Sequence, residues 1–198
     1  VNHFFHAVPG FAAFRNIYAE MVEQASDGAH FVEVGSWLGK SAAFMAVEIA
    51  NSGKRIRFDC VDSWALHPKP DAVKHRNSAG NWRTHCTHRP KHDSMYECFS
   101  AYIEPARELV NPIRMKSVQA AKLYDDASLD FVFIDANHHY RHVASDIAAW
   151  RHKVKPGGVL AGDDFTGFPG VSRAVKEAFG KRFRRRGRKG SYWLVRLR

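Results

Sequence analysis

The stretches FIDANHHY and GVLAGDDF both run from apolar residues into acids: Asp135 ends the first run, and Asp163 and Asp164 end the second. His138 stands three positions beyond Asp135. Short apolar runs bounded by polar punctuation read as buried strands. In an open α/β sheet, acids at the carboxyl ends of parallel strands lie where such sheets bind ligands. Carboxylates without thiolates suit Mg²⁺ or another hard divalent cation. Taken singly, an Asp at a strand end also serves as the N-cap of the next helix. Three acids at matching strand ends point more strongly to a shared site.

The stretch FVEVGSWLGKS, residues 31–41, offers two incompatible chemistries. It ends in the Gly-Lys-Ser of a phosphate-binding P-loop, which also needs a glycine five positions before the second one. Position 34 is Val, so the span from Gly35 to Gly39 is one residue too short to wrap backbone N–H groups around a phosphate. The alternative, an E-x-G-x-x-x-G turn, uses every feature. Gly35 allows a sharp turn after a strand, Gly39 lets a helix start approach a ligand, and Glu33 sets a carboxylate beneath them. Trp37 stands where the dinucleotide fingerprint requires glycine, which disfavours a pyrophosphate cradle. Asp62, ending IRFDCVDSW, occupies the place of an acid that bonds ribose hydroxyls. Lys40 is expected to face solvent or a cofactor carboxylate.

Several elements must position these residues. Apolar residues at helical spacing (Phe14, Ile17, Tyr18, Met21, Val22) predict a helix over 11–25. HFVEVG then reads as a strand, KSAAFMAVEIA as a helix and IRFDCVDSW as a second strand, completing one βαβ unit. SMYECFSAYIEPARELV predicts a helix broken near Pro105, PIRMK a short strand, and SVQAAKLY a helical turn. LDFVFIDA, GVLAGDDF and the helices YRHVASDIAAWRHKV and GVSRAVKEAFG extend the alternation. KRFRRRGRKGSYWLVRL predicts a terminal antiparallel hairpin. The expected fold is α/β, a doubly wound, seven-stranded, mainly parallel sheet with an antiparallel C-terminal hairpin. At 198 residues, one domain spanning 1–198 is expected.

Composition excludes other classes. With 45% hydrophobic and 25% charged residues, the chain is neither disordered nor fibrous. No apolar run approaches about 18 residues, and the first residues lack the pattern of an export signal, so no membrane association and a cytoplasmic location are expected. Cys60, Cys86 and Cys98 form no disulfide framework and suit a reducing compartment. Residues 65–93 show no period and hold five His and three Pro, as in a variable substrate-side loop over one end of the sheet. Cys86, His88 and His92 there lack a fourth zinc ligand at familiar spacing. Net charge is +10, yet nine of the 30 Lys and Arg lie in 181–198 with no acid, leaving 21 basic against 20 acidic residues before them. A basic hairpin at 181–198 is either a solvated edge or an attractor for an anionic partner such as nucleic acid or a phosphorylated substrate.

Residues 31–50 together with 131–165 resemble the class I S-adenosylmethionine-dependent methyltransferases, in particular the branch containing catechol O-methyltransferase and the macrolide-sugar O-methyltransferases. The resemblance runs from the N-terminal helix to SYWLVRL and is weakest over the 65–93 loop. It implies that Glu33, Gly35, Ser36, Trp37, Gly39 and Ser41 hold the amino-acid end of S-adenosyl-L-methionine, that Asp62 holds the ribose, and that Ser117 lies near the adenine. It implies a divalent cation on Asp135, Asp163 and Asp164, with Asp135 also reaching the cofactor. It implies that His138 is the general base, in a D-x-x-H-x-Y pattern that departs from the lysine of catechol-type enzymes. The acceptor is expected to be a small-molecule or sugar hydroxyl. Nucleic-acid methylation through the basic hairpin and a non-catalytic nucleoside-binding module are the alternatives, and the sequence admits a homo-oligomer.

Overall fold

A computed structural model of the chain describes residues 1–65, 74–76, 82–84 and 94–198, the two short segments as backbone only. Its strands are β1 (His30–Val34), β2 (Arg57–Asp62), β3 (Lys74–Arg76), β4 (Trp82–Thr84), β5 (Asn111–Arg114), β6 (Leu129–Ile134), β7 (Val154–Gly162), β8 (Arg184–Arg186) and β9 (Tyr192–Arg196). Seven form one sheet in the order β5-β2-β1-β6-β7-β9-β8, and β3 and β4 pair separately. From β5 to β7 all neighbours are parallel, whereas β9 runs antiparallel to β7 and to β8. The doubly wound sheet with its reversed terminal pair is thus as expected. Predictions for the 65–93 loop, its histidines and Cys86 included, fall almost entirely outside the described residues.

Helices cover both faces, which is why β1 and β6 are apolar at successive positions. On one face lie α1 (Arg15–Gln24), α2 (Lys40–Ser52) and α3 (Met95–Ile103), burying Phe31, Phe131 and Phe133. On the other lie α4 (Ser117–Ala120), α5 (Tyr140–Trp150) and α6 (Pro169–Phe179), burying Val32, Val132 and Trp193. The helix ahead of Pro105 stops at Ile103 and continues as a 3₁₀ segment, Glu104–Leu109. Both sheet edges are guarded. β5 carries Pro112, which has no N–H to offer a further strand, and β8 consists of three exposed arginines. Among the described residues no helix is long and apolar enough to cross a membrane.

A buried polar knot ties β1, β2 and β5 together. The fully buried Asp59 carboxylate accepts hydrogen bonds from His30 (2.7 Å), Asn111 (2.9 Å), Tyr124 (2.9 Å) and Arg57 (3.2 Å). Burial alone would raise its pKa, but the bonds from His30, Asn111 and Tyr124 outweigh it and hold the group at about 2.

The chain winds outward from β1 through β2 to β5 and returns on the other side of β1 as β6. The winding direction therefore reverses between β1 and β6. The crevice beyond their carboxyl ends is the switch point where open α/β sheets bind ligands.

Candidate active site

The loop after β1 and the loop after β6 meet at this switch point. Asp135 N–H donates to Val34 O (2.8 Å) and Gly35 N–H to Val61 O (2.8 Å), so both loops leave the sheet in register. Gly35 has φ +98°, and a Cβ there would lie 2.2 Å from the Asp135 carbonyl oxygen. No other residue permits this approach. Gly39, at φ +88°, begins α2 with the same constraint, since a Cβ would meet Ile103 at 2.9 Å and Phe99 at 3.0 Å.

Glu33 sits under this turn with 1% exposure. One carboxylate oxygen, Oε2, accepts the Tyr18 hydroxyl at 2.6 Å, while Oε1 is buried without a hydrogen-bond partner, as is Ser36 Oγ. Burial pushes Glu33 up to about 7, the hydroxyls of Tyr18, Ser36 and Ser41 offset part of that rise, and Asp135 adds to it. An acid and a hydroxyl held without partners beneath a glycine turn fit a cationic, hydrogen-bonding group such as the amino-acid end of S-adenosylmethionine.

Asp62 organises the loop from the β2 side. Its Oδ2 accepts Trp37 N–H (2.9 Å) and its Oδ1 accepts Trp64 N–H (2.8 Å), while the Trp64 indole donates to Trp37 O (2.7 Å). Trp37 and Trp64 both adopt left-handed backbone, φ 44° and 45°, and this ring of bonds is what holds them there. Each carboxylate oxygen has a second lone pair, so ribose hydroxyls can add to the bonds already made. Lys40 is half-buried at the start of α2. Its ammonium donates to Val8 O at 2.6 Å and fastens the N-terminal segment over the loop. Gly10 of that segment lies against the Trp37 indole, where a Cβ would stand 3.0 Å from the ring. Ser117 opens α4 with its hydroxyl accepting the Trp150 indole N–H at 2.9 Å.

Asp135, His138 and Asp164 converge, each offering one ligand atom within 4.8 Å of the others. His138 Nε2 lies 2.8 Å from Asp164 Oδ2 and 3.6 Å from Asp135 Oδ1, yet no hydrogen bond is directed from it. Asp135 and Asp164 together push the imidazole up to about 10. Asp163 lies beside this group rather than within it. Its Oδ1 is buried without a partner, and burial together with Asp135 raises it to about 7. The two adjacent acids diverge because Asp164 takes φ 60°, which Asp tolerates better than most residues. Two carboxylates and an imidazole at a common focus, with a third carboxylate unpaired alongside, fit a divalent cation. Phe168 stacks on the His138 ring at 4.3 Å and 19°, and His139 is exposed at the start of α5.

Three participants had not been picked out as site residues. Tyr18 was legible only as part of an apolar helix stripe. Trp64 and Phe168 carried a weak signal, being single aromatics in otherwise polar or Gly-Pro loops.

The family described as Methyltransferase domain matches residues 32–165, and the chain belongs to it. It is an S-adenosylmethionine-dependent methyltransferase of class I fold. Several solved structures share the fold. CalS11, a calicheamicin methyltransferase, is 14% identical, covering 92% of this chain and 77% of its own, with a TM-score of 0.61. The O-methyltransferase NovP is 17% identical, covering 93% and 79%, with a TM-score of 0.61. Fibrillarin from Aeropyrum pernix, with natively bound S-adenosyl-L-methionine, is 14% identical, covering 92% and 74%, with a TM-score of 0.53. No curated protein sequence matches the chain.

Proposed function

We propose that the chain methylates a hydroxyl of a small molecule or sugar, with a divalent cation at Asp135 and Asp164, Asp163 beside them, and His138 as general base. The observation that carries this reading is the focus of Asp135, His138 and Asp164 next to the Gly35 turn. The donor's sulfonium supplies an electrophilic methyl group, so the protein's task is alignment and deprotonation of the acceptor. Glu33, through its unpaired Oε1, and Ser36 receive the amino-acid end of the donor, Gly35 and Gly39 let its backbone cradle come close, Trp37 and Ser41 complete the loop, and Asp62 takes the ribose. Ser117 stands at the adenine side.

A cation at Asp135 and Asp164 would supply Lewis acidity and offset the carboxylate charge. Asp135 and Asp164 raise the His138 imidazole, and a cation that offset their charge would favour its neutral, proton-accepting form. CalS11 is described as a TDP-rhamnose 3'-O-methyltransferase, which supports a sugar hydroxyl as acceptor here. Residues 1–198 are read as one methyltransferase domain, with 65–93 selecting the acceptor. The buried Cys60, which forms no disulfide, suits a cytoplasmic setting.

The test is a screen of sugar and phenolic acceptors with isotopically labelled donor, with and without chelator. Methyl transfer to oxygen that stops in chelator is expected. Full activity in excess chelator would remove the cation, and methyl transfer only to nitrogen or carbon would overturn the acceptor class.

A further inference from the structure

The basic residues of the terminal hairpin fall into two groups. Arg184, Arg185 and Arg186 form the edge strand, where charge protects against pairing with another sheet, and Arg186 is matched by Glu20 of α1 at 2.7 Å. Edge protection does not account for the cations at the strand's end. The turn holding Arg188 and Lys189 closes against the loop after β7, with Phe165 N–H donating to Ser191 O at 2.7 Å. Phe165 directly follows Asp164. The Arg185 guanidinium lies 5.6 Å and the Lys176 ammonium of α6 5.9 Å from the centre of the Phe165 ring. Among the described residues, none of Lys176, Arg185, Arg188 and Lys189 is within salt-bridge distance of an acid.

A rim of unneutralised cations thus gathers about Phe165, the residue that follows Asp164: Arg185 and Lys176 lie at its ring, and the turn carrying Arg188 and Lys189 is bonded to its N–H through Ser191. Such a pairing suits a ligand that is neutral where it reacts and anionic at its other end. We propose that this rim is the anion-binding part of the acceptor site and that the acceptor carries a phosphate or diphosphate group. This rests on the methyltransferase reading above and deepens it. A compact anion is favoured over nucleic acid because the described cations gather about one ring and one turn, Lys176 and Arg185 at Phe165 and Arg188 and Lys189 in the turn bonded to it, rather than along a track.

The test uses the full chain in chelator, so that no cation bridges the probe, with S-adenosylhomocysteine present. Inorganic pyrophosphate binding is measured by calorimetry for wild type, for R185Q/R188Q/K189Q, and for K181Q/R182Q, which removes charge away from the rim. Pyrophosphate should bind wild type, weaken at least about tenfold in the rim variant and stay within about twofold in the control. No binding to wild type, or equal weakening in both variants, overturns the proposal. So does a short single-stranded RNA that binds more tightly than pyrophosphate and is released steeply by salt, which would assign the rim to nucleic acid. S-adenosylhomocysteine should raise the melting temperature of all three proteins. Its failure to do so in wild type would instead overturn the donor reading on which the proposal stands.

Discussion

Replacing Glu33 by Gln should stabilise the protein at alkaline pH while weakening donor binding. Glu33 is almost completely buried, with one oxygen bonded to Tyr18 and the other unpartnered. Its pKa in the folded chain, about 7, lies above the ordinary 4.5. The folded state therefore holds the proton more tightly than the unfolded state. Stability linked to this group is full below about pH 4.5 and is lost as the pH rises to about 7, beyond which the loss is constant. At about 1.4 kcal/mol per pH unit, that interval corresponds to about 3 kcal/mol. Gln has the same shape and no charge, so it removes the pH-dependent cost. Urea unfolding of both proteins from pH 4.5 to 8.5 should show the variant's advantage growing from acid to neutral pH and levelling above it. The same variant should bind S-adenosylhomocysteine about ten- to a hundredfold more weakly, because a bond from a carboxylate to a charged partner is worth about 1.5–3 kcal/mol. A stability difference that does not change with pH would refute the assignment of the titrating group. Unchanged donor affinity would refute the role of the free oxygen.

Asp62→Ala should weaken S-adenosylhomocysteine binding by a similar factor, read by calorimetry, and Asp62→Asn less, since the amide keeps one acceptor for Trp37 or Trp64 N–H. Once an acceptor is found, His138→Ala should lower turnover by about 10² to 10⁴ with donor affinity unchanged, whereas the exposed His139→Ala should retain activity; the reverse pattern would move the base to His139. Asp59→Asn should destabilise the fold by about 2 kcal/mol at neutral pH. Because the Asp59 pKa is depressed to about 2, that difference should shrink as pH falls from about 4 towards 2, and a difference that persists unchanged would show that packing rather than charge sets it.

The framework was legible because each of its parts obeys a local rule. β1 and β6 are short, mostly apolar runs, as befits strands covered on both faces, and Asp135 directly follows β6. The Gly35 turn was legible for the same kind of reason, since only glycine permits the approach to Asp135. What escaped depended on contacts between distant segments. Lys40 has no sequence feature that marks Val8 as its partner. Tyr18 reads as one more apolar position until its hydroxyl is seen against Glu33. The divergence of Asp163 from Asp164 follows from a single left-handed residue, which no periodicity announces.

These contacts also join the two halves of the site. The donor loop and the acidic focus touch backbone to backbone at Gly35 and Asp135, with no side chain between them. Asp135 raises Glu33 through its charge, and Asp135 is itself balanced by His138. A cationic donor above Glu33 and a cation at Asp135 would each relieve the same accumulation of buried carboxylates. Each should therefore favour ionisation at the other's site while the two cations repel each other, so the coupling should be more favourable well below pH 7, where Glu33 otherwise holds its proton, than above it, where the repulsion alone remains. Calorimetric titration of S-adenosylmethionine with and without Mn²⁺ measures this coupling directly. Its neutral product analogue at sulfur, S-adenosylhomocysteine, should show less of it, because the part of the coupling carried by the sulfonium is then absent. Identical affinities with and without the metal, for both nucleosides, would mean that the contact at Gly35 transmits no charge effect between the loops.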